Sequence, residues 1–322
     1  MFDFLKNKRN ISYCTQYFSD GLGKGWAWDD YMDSYMVQRS EFPIYGNLIR
    51  VYNNVDTIST IPKNIHLDIQ KGFKKYGGNV DYTLSRKWDS NDIILTVASL
   101  HRTKNMYEIP LVPNLYEVRE FLSDTLQQKI IFLFNNAKDS IDNKDSRLSK
   151  IYSQPTDSLL KPMMHNSDNF FAEQTLLMVS NEHLGYMNEE AIIDTLLNTD
   201  LKDVPQKPRW VDGSGLSRYN LFSPQSLVYI LNKMKNEFGI ERLKVILPTG
   251  GEGTLKNYYL KDSTYIYAKT GSMSNHAAIS GLLYSKKGKW LIFSIVANQF
   301  QGSATKVRRS VEKFLEGIRE KY

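Results

Sequence analysis

The stretch from Thr264 to Ile318 constrains the fold more than any other part of the chain. Thr264 to Lys269 reads as a strand, and His276 to Tyr284 reads as a second. Lys286-Lys287-Gly288-Lys289 marks a turn. Trp290 to Asn298 follows as a third strand, a nearly unbroken apolar run of the kind buried on both faces. Ser303 then stands where a cap belongs, ahead of a helix whose Val307, Val311, Phe314, Leu315 and Ile318 form one stripe. Three antiparallel strands with a helix laid over one face make a compact α+β unit.

Upstream of it lie helical signals. Asp157 or Ser158 can cap a helix, and a second helical run begins near Asp168 with Phe170, Phe171, Leu176 and Leu177. Glu189 to Asn198 places Ile192, Ile193, Leu196 and Leu197 at helical spacing. Ser223-Pro224 pairs a cap residue with proline at the first helical position. Residues 1–145 read differently, with many aromatics, asparagines and turn formers. Leu48–Tyr52 and Ile93–Val97 are strand-like there, and Asn114–Gln128 is helical with Tyr116, Phe121, Leu122 and Leu126 on one side. The polar stretch Asn135–Ser149 reads as a linker. The chain's 322 residues suffice for two domains. The expectation is a mostly β region over 1–145 and an α+β region over 146–322.

A net charge of +6 is spread along the chain, and its densest cluster, Lys306, Arg308 and Arg309, falls on the C-terminal helix. An excess of this size fits an anionic surface such as a cell envelope or nucleic acid, and more commonly a merely solvated surface; no nucleic-acid module signature accompanies it. With Cys14 the only cysteine, no internal disulfide can form. No apolar run reaches membrane-spanning length, and Met1–Lys6 lacks the basic-then-apolar pattern of a signal peptide. No metal or cofactor is expected.

Two triplets carry chemistry. Ser167-Asp168-Asn169 opens an apolar helix, and Lys269-Thr270-Gly271 stands at the end of a strand. Singly, the first reads as a helix cap and the second as a turn. Together, in this order, they match the second and third motifs of the active-site-serine penicillin-recognising enzymes.

The surrounding segments resemble the D-alanyl-D-alanine carboxypeptidase/endopeptidase family of penicillin-binding proteins. His165–Glu173 is similar to its second motif with the Ala-Glu that follows, and Ala268–Ser272 to its third. Val211-Asp212-Gly213-Ser214-Gly215-Leu216-Ser217-Arg218 and Leu247–Leu255 resemble two glycine-rich signatures, and Gly25–Asp30 and Phe42–Asn47 resemble pieces of its inserted region. The resemblance implies a penicillin-binding protein/β-lactamase-like transpeptidase fold, an antiparallel sheet with helices, carrying a mostly β insertion. It further implies a serine-type peptidase of the periplasm or cell envelope that acts on peptidoglycan stem peptides ending in D-Ala-D-Ala, with β-lactams as inhibitors of the full-length enzyme.

In such acyl transfer a serine attacks the peptide carbonyl and water releases the acyl-enzyme. By resemblance, Ser167, Asn169 and Lys269 are the catalytic residues present here. Lys269 supplies a positive field, Ser167 relays a proton to the leaving amine, and Asn169 holds the substrate amide and the catalytic lysine. Thr270 and Ser272 bind the substrate carboxylate, Gly271 leaves room for its backbone, and the Ser272 N–H is one of two oxyanion donors.

The family's first motif, Ser-x-x-Lys, lies ahead of the inserted region, and the expectation is that this chain lacks it and is inactive alone. Ser158-Leu159-Leu160-Lys161 fits the bare pattern, but along a helix Ser158 stands about 13 Å from Ser167 unless Pro162 folds the chain back. Ser303-Ala304-Thr305-Lys306 fits it as well, with Ser303 already employed as a cap. A β-lactamase shares both motifs, although no water-activating acid is identifiable. A non-catalytic cell-envelope binding protein of the same fold is the reading from another class.

Overall fold

A computed structural model of the chain describes residues 5–6, 11–13, 18, 21–54, 57–71, 82–97, 105–134, 152–261 and 263–322. The Asn135–Ser149 stretch and Cys14 lie outside the described residues. The chain divides into two compact units, one of Met1–Ser153 with Glu173–Asn188 and one of Gln154–Ala172 with Glu189–Tyr322.

The first unit holds β1 (Ile11–Tyr13), β2 (Leu48–Asn54), β3 (Thr57–Ile61), β4 (Leu67–Lys71), β5 (Tyr82–Arg86), β6 (Ile93–Val97), β7 (Asn105–Pro110), helix α1 (Leu115–Leu126) and β8 (Phe132–Phe134). The strands form small sheets ordered β3-β2-β7 and β4-β6-β5 and a parallel β1–β8 pair. Alternation along β2 buries Ile49 and Val51 against Ile109 of β7 and against Val118, Phe121 and Leu122 of α1. Asn114 caps α1 by accepting from the Tyr116 N–H at 2.9 Å. Tyr116 itself is 66% exposed, so it does not belong to the apolar face assigned to it from sequence; Val118 takes that place.

The second unit starts with α2 (Asp157–Asn166), which runs through Pro162 without reversing. Its N-cap, Thr156, makes no side-chain cap bond; Asp157 instead binds the Arg242 guanidinium at 2.8 and 3.1 Å. Next come α3 (Asn169–Leu184), α4 (Glu189–Asn198), α5 (Pro224–Phe238) and α6 (Ile240–Ile246). Ser223 caps α5 through the Ser226 N–H at 3.1 Å, as its Ser-Pro pair predicts. Helix α3 contributes its first turn to this unit, while Glu173 onward belongs to the first.

The chain closes with β9 (Ile266–Met273), β10 (His276–Tyr284), β11 (Trp290–Asn298) and α7 (Ala304–Lys321). The three strands are antiparallel in the order β11-β10-β9. Strand β9 extends beyond the predicted end, so Lys269-Thr270-Gly271 lies within the strand, paired with β10 through Met273. Local propensity stops at the Thr-Gly pair, but the ladder with β10 carries the strand on. Ile266, Ala268 and Ile279 pack with Leu315 of α7, while Tyr267 and Leu282 pack with Leu243 and Leu247 on the opposite face. Strand β11 is half-buried along most of its length rather than fully buried, and among the described residues it is an edge of the sheet. Ser303 sits at the N-cap position of α7 without making a side-chain cap bond. No helix among the described residues is long and apolar enough to cross a membrane.

Candidate active site

The candidate site begins where α2 ends. Ser167 is the C-cap, in the left-handed conformation at φ 55° and ψ 49°, and its N–H donates to the Met163 carbonyl. Glycine is the usual residue at such a cap. A side-chain-bearing residue there costs about 1 kcal/mol. Asp168 also donates its N–H to Met163 O at 2.9 Å, and its Oδ1 caps α3 by accepting from Phe171 N–H at 2.9 Å. Asp168 of the triplet thus caps the helix. Asn169 is the first residue of α3 and is half-buried.

On β9 the period-two alternation separates the second triplet by face. Lys269 and Gly271 follow Tyr267 to the side of α6, and Thr270 and Ser272 follow Ile266 and Ala268 to the side of α7. Lys269 therefore meets Ser167: its Nζ donates to the Ser167 Oγ at 2.6 Å and to its neighbour's carbonyl, Thr270 O, at 2.6 Å. Burial pushes the Lys269 ammonium down to about 8. It is mostly charged at pH 7, yet close enough to neutrality to exchange a proton with a bonded hydroxyl. Gly271 and Ser272 are exposed, and Thr270 is half-buried.

Of the two glycine-rich signatures, Leu247–Leu255 adjoins β9. Thr249 Oγ1 donates to Ile266 O at 2.7 Å, and Ala268 N–H donates to Pro248 O at 3.0 Å. These bonds occupy the outer edge of β9 ahead of Lys269; among the described residues no strand pairs with that edge beyond it. In the other signature, Val211–Arg218, the buried Asp212 carboxylate accepts from Gly215 N–H at 2.8 Å, Ser217 N–H at 2.6 Å and Asn220 Nδ2 at 2.7 Å. Asp212 organises that loop from within.

The Ser-x-x-Lys stretches fall on α2 and at the start of or within α7. Ser158 and Ser167 lie at opposite ends of α2. Ser303 precedes α7. A third match, Ser310-Val311-Glu312-Lys313, escaped the sequence reading; its Ser310 hydroxyl donates to Lys306 O within α7. Two further residues were also missed. Arg308 donates from Nη2 to the Ser272 Oγ at 2.5 Å. In the first unit, Arg39 pairs with Glu173 at 3.5 Å, both side chains fully buried. Arg308 was visible only as part of a basic cluster.

An antiparallel sheet flanked by helices is the α+β architecture of the penicillin-binding proteins. The chain belongs to the D-Ala-D-Ala carboxypeptidase 3 (S13) family, whose model matches residues 10–318. It is 30% identical over 164 residues to carboxypeptidase DacB of Mycolicibacterium smegmatis, covering 47% of this chain and 35% of that protein. To D-alanyl-D-alanine carboxypeptidase DacB of Haemophilus influenzae it is 29% identical over 161 residues, covering 45% and 32%. The matches thus span about a third of these relatives. The crystal structure of penicillin binding protein 4 (dacB) from Haemophilus influenzae superposes with a TM-score of 0.72 at 18% identity, over 92% of this chain and 70% of that one.

Proposed function

We propose that this chain supplies the second and third motifs of a serine-type D-alanyl-D-alanine carboxypeptidase/endopeptidase that cleaves peptidoglycan stem peptides in the periplasm or cell envelope. The observation that carries this reading is the 2.6 Å bond between Lys269 Nζ and Ser167 Oγ, which joins the two motifs across the fold. In this reading residues 1–145 are an inserted, mostly β region, and 146–322 are part of the catalytic domain.

The roles in this reading are those the family resemblance implies. Lys269 holds a positive charge beside Ser167 and draws the substrate carboxylate toward the β9 edge. Ser167 passes a proton between that lysine and the leaving amine. Asn169, the first residue of α3, holds the substrate amide and the catalytic lysine. The Ser272 N–H, on the strand edge, stabilises the developing oxyanion. In this reading the attacking serine and its lysine, a Ser-x-x-Lys pair, come from outside these 322 residues. β-Lactams inhibit the complete enzyme by acylating that serine.

Labelling with a fluorescent penicillin tests this. The 322-residue chain is expected to give no adduct by mass spectrometry, and a chain extended with an upstream Ser-x-x-Lys segment is expected to give one. In the extended chain, Lys269→Ala should slow acylation at least about a hundredfold, the usual size of one preorganised electrostatic contact. Unchanged acylation would remove Lys269 from the site. An adduct on the 322-residue chain would place the nucleophile inside it, and the modified peptide would identify it. Rapid β-lactam turnover would point instead to a β-lactamase.

A further inference from the structure

The sheet-facing stripe of α7 does not end with its apolar residues. Arg308 stands three residues before Val311 and seven before Leu315, so helical spacing puts it on the same stripe. Val311 and Leu315 pack on the sheet, and Arg308, half-buried, reaches Ser272 Oγ at 2.5 Å. Its neighbour Arg309 is fully engaged, with Glu312 at 2.6 Å, Asn257 O at 3.0 Å and the Tyr258 ring at 4.4 Å. Among the described residues Arg308 has no carboxylate partner. Lys269 has none either: it meets only neutral oxygens, Ser167 Oγ and Thr270 O.

Two cations therefore approach the Lys269–Ser272 edge of β9 from opposite faces of the strand, with no acid to balance them. Between them is Gly271, which the fold itself does not require, since an added Cβ would meet only the Ala278 methyl at 3.7 Å. A single hydroxyl is a poor match for a guanidinium, whose planar fork suits the two oxygens of a carboxylate.

We propose that Arg308 is a specificity-determining residue: together with the Ser272 hydroxyl it binds the terminal carboxylate of a peptide lying along the β9 edge. This rests on the carboxypeptidase reading above and adds to it the residue that demands a free C-terminal acid. Lys269 steers the peptide into the groove, and Arg308 separates acids from amides.

The test is binding to the 322-residue protein, followed by nitrogen-15 NMR of the Gly271 N–H and the Arg308 Nε–H. The probes are N-acetyl-D-alanyl-D-alanine and its C-terminal amide. The acid is expected to shift both signals and to bind about tenfold more tightly than the amide, the size of one charge-assisted hydrogen bond. Arg308→Gln should lower acid affinity to that of the amide and leave the amide unchanged, which also shows that the site remains folded. Arg308→Lys should fall between. If Arg308→Gln keeps full acid affinity while Lys269→Gln loses it, the role of Arg308 is overturned and the carboxypeptidase reading stands. Equal affinity for acid and amide, or loss of both probes in Arg308→Gln, also overturns it. If neither probe perturbs Gly271 in the unaltered protein, both readings fall.

Discussion

Gly253 and the carbonyl of His165 lie so close that no side chain fits between them: a Cβ at residue 253 would come within 2.4 Å of His165 O. Gly253 also has a φ of +48°. His165 is in the last turn of α2, just ahead of Ser167. The Leu247–Leu255 signature therefore bears on the turn that presents the Ser167 hydroxyl. Gly253→Ala must move backbone, since the obstructing atom is not the tip of a flexible side chain. It should cost about 2 kcal/mol or more from strain and overlap together, seen as a Tm lower by several degrees. A Tm within a degree of the unaltered protein would show that this loop gives way easily.

The Lys269 ammonium should titrate near pH 8, well below the ordinary lysine value. Heteronuclear NMR of the lysine side chains can follow it directly. A titration above about 10 would mean that the ammonium is as well hydrated as on the surface, and the desolvation argument would fail.

The same burial has a consequence for stability. A lysine whose pKa is depressed by folding destabilises the native state while charged. That penalty is fully present below about pH 8 and disappears as pH rises toward the unfolded value. Lys269→Met removes the charge and keeps most of the side chain's volume. At pH 7 it should therefore stabilise the protein by about 1 kcal/mol, after the two lost hydrogen bonds and partial exposure are discounted. The gain over the unaltered protein should shrink between pH 8 and 10. A loss of stability at pH 7 would show that the bonds to Ser167 and Thr270 outweigh the desolvation.

Asp212 gives the opposite result. Its buried carboxylate serves two backbone N–H groups and the Asn220 amide. Asp212→Asn offers one acceptor oxygen where two are used and adds an N–H₂ facing donors. The expected loss is about 3 kcal/mol, measured by urea unfolding, since buried donors are left without acceptors. A change under about 1 kcal/mol would mean that water replaces the carboxylate.

Much of the second unit was legible in the sequence. Glu189–Asn198, His276–Tyr284 and Trp290–Asn298 fall where apolar spacing and turn residues put them. The Ser223-Pro224 start is also as read. The departures share a cause, namely that a neighbour in space overrode a local signal. Strand β9 continues through Thr270 and Gly271 because β10 supplies partners as far as Met273. Ser303 looks like a cap but makes no cap bond. Tyr116 has apolar character yet faces solvent.

The sequence by itself determined the elements of the C-terminal α+β unit and the two triplets, because helical and strand periodicity are short-range properties and the triplets are contiguous. The tertiary structure alone decided what those triplets touch. Ser167 and Lys269 meet because α2 ends over one face of β9, and Arg308 meets Ser272 because α7 covers the other. Which face a strand residue takes depends on what packs there. A basic cluster on a helix carries no sign of which member turns inward until the apolar stripe has docked on the sheet.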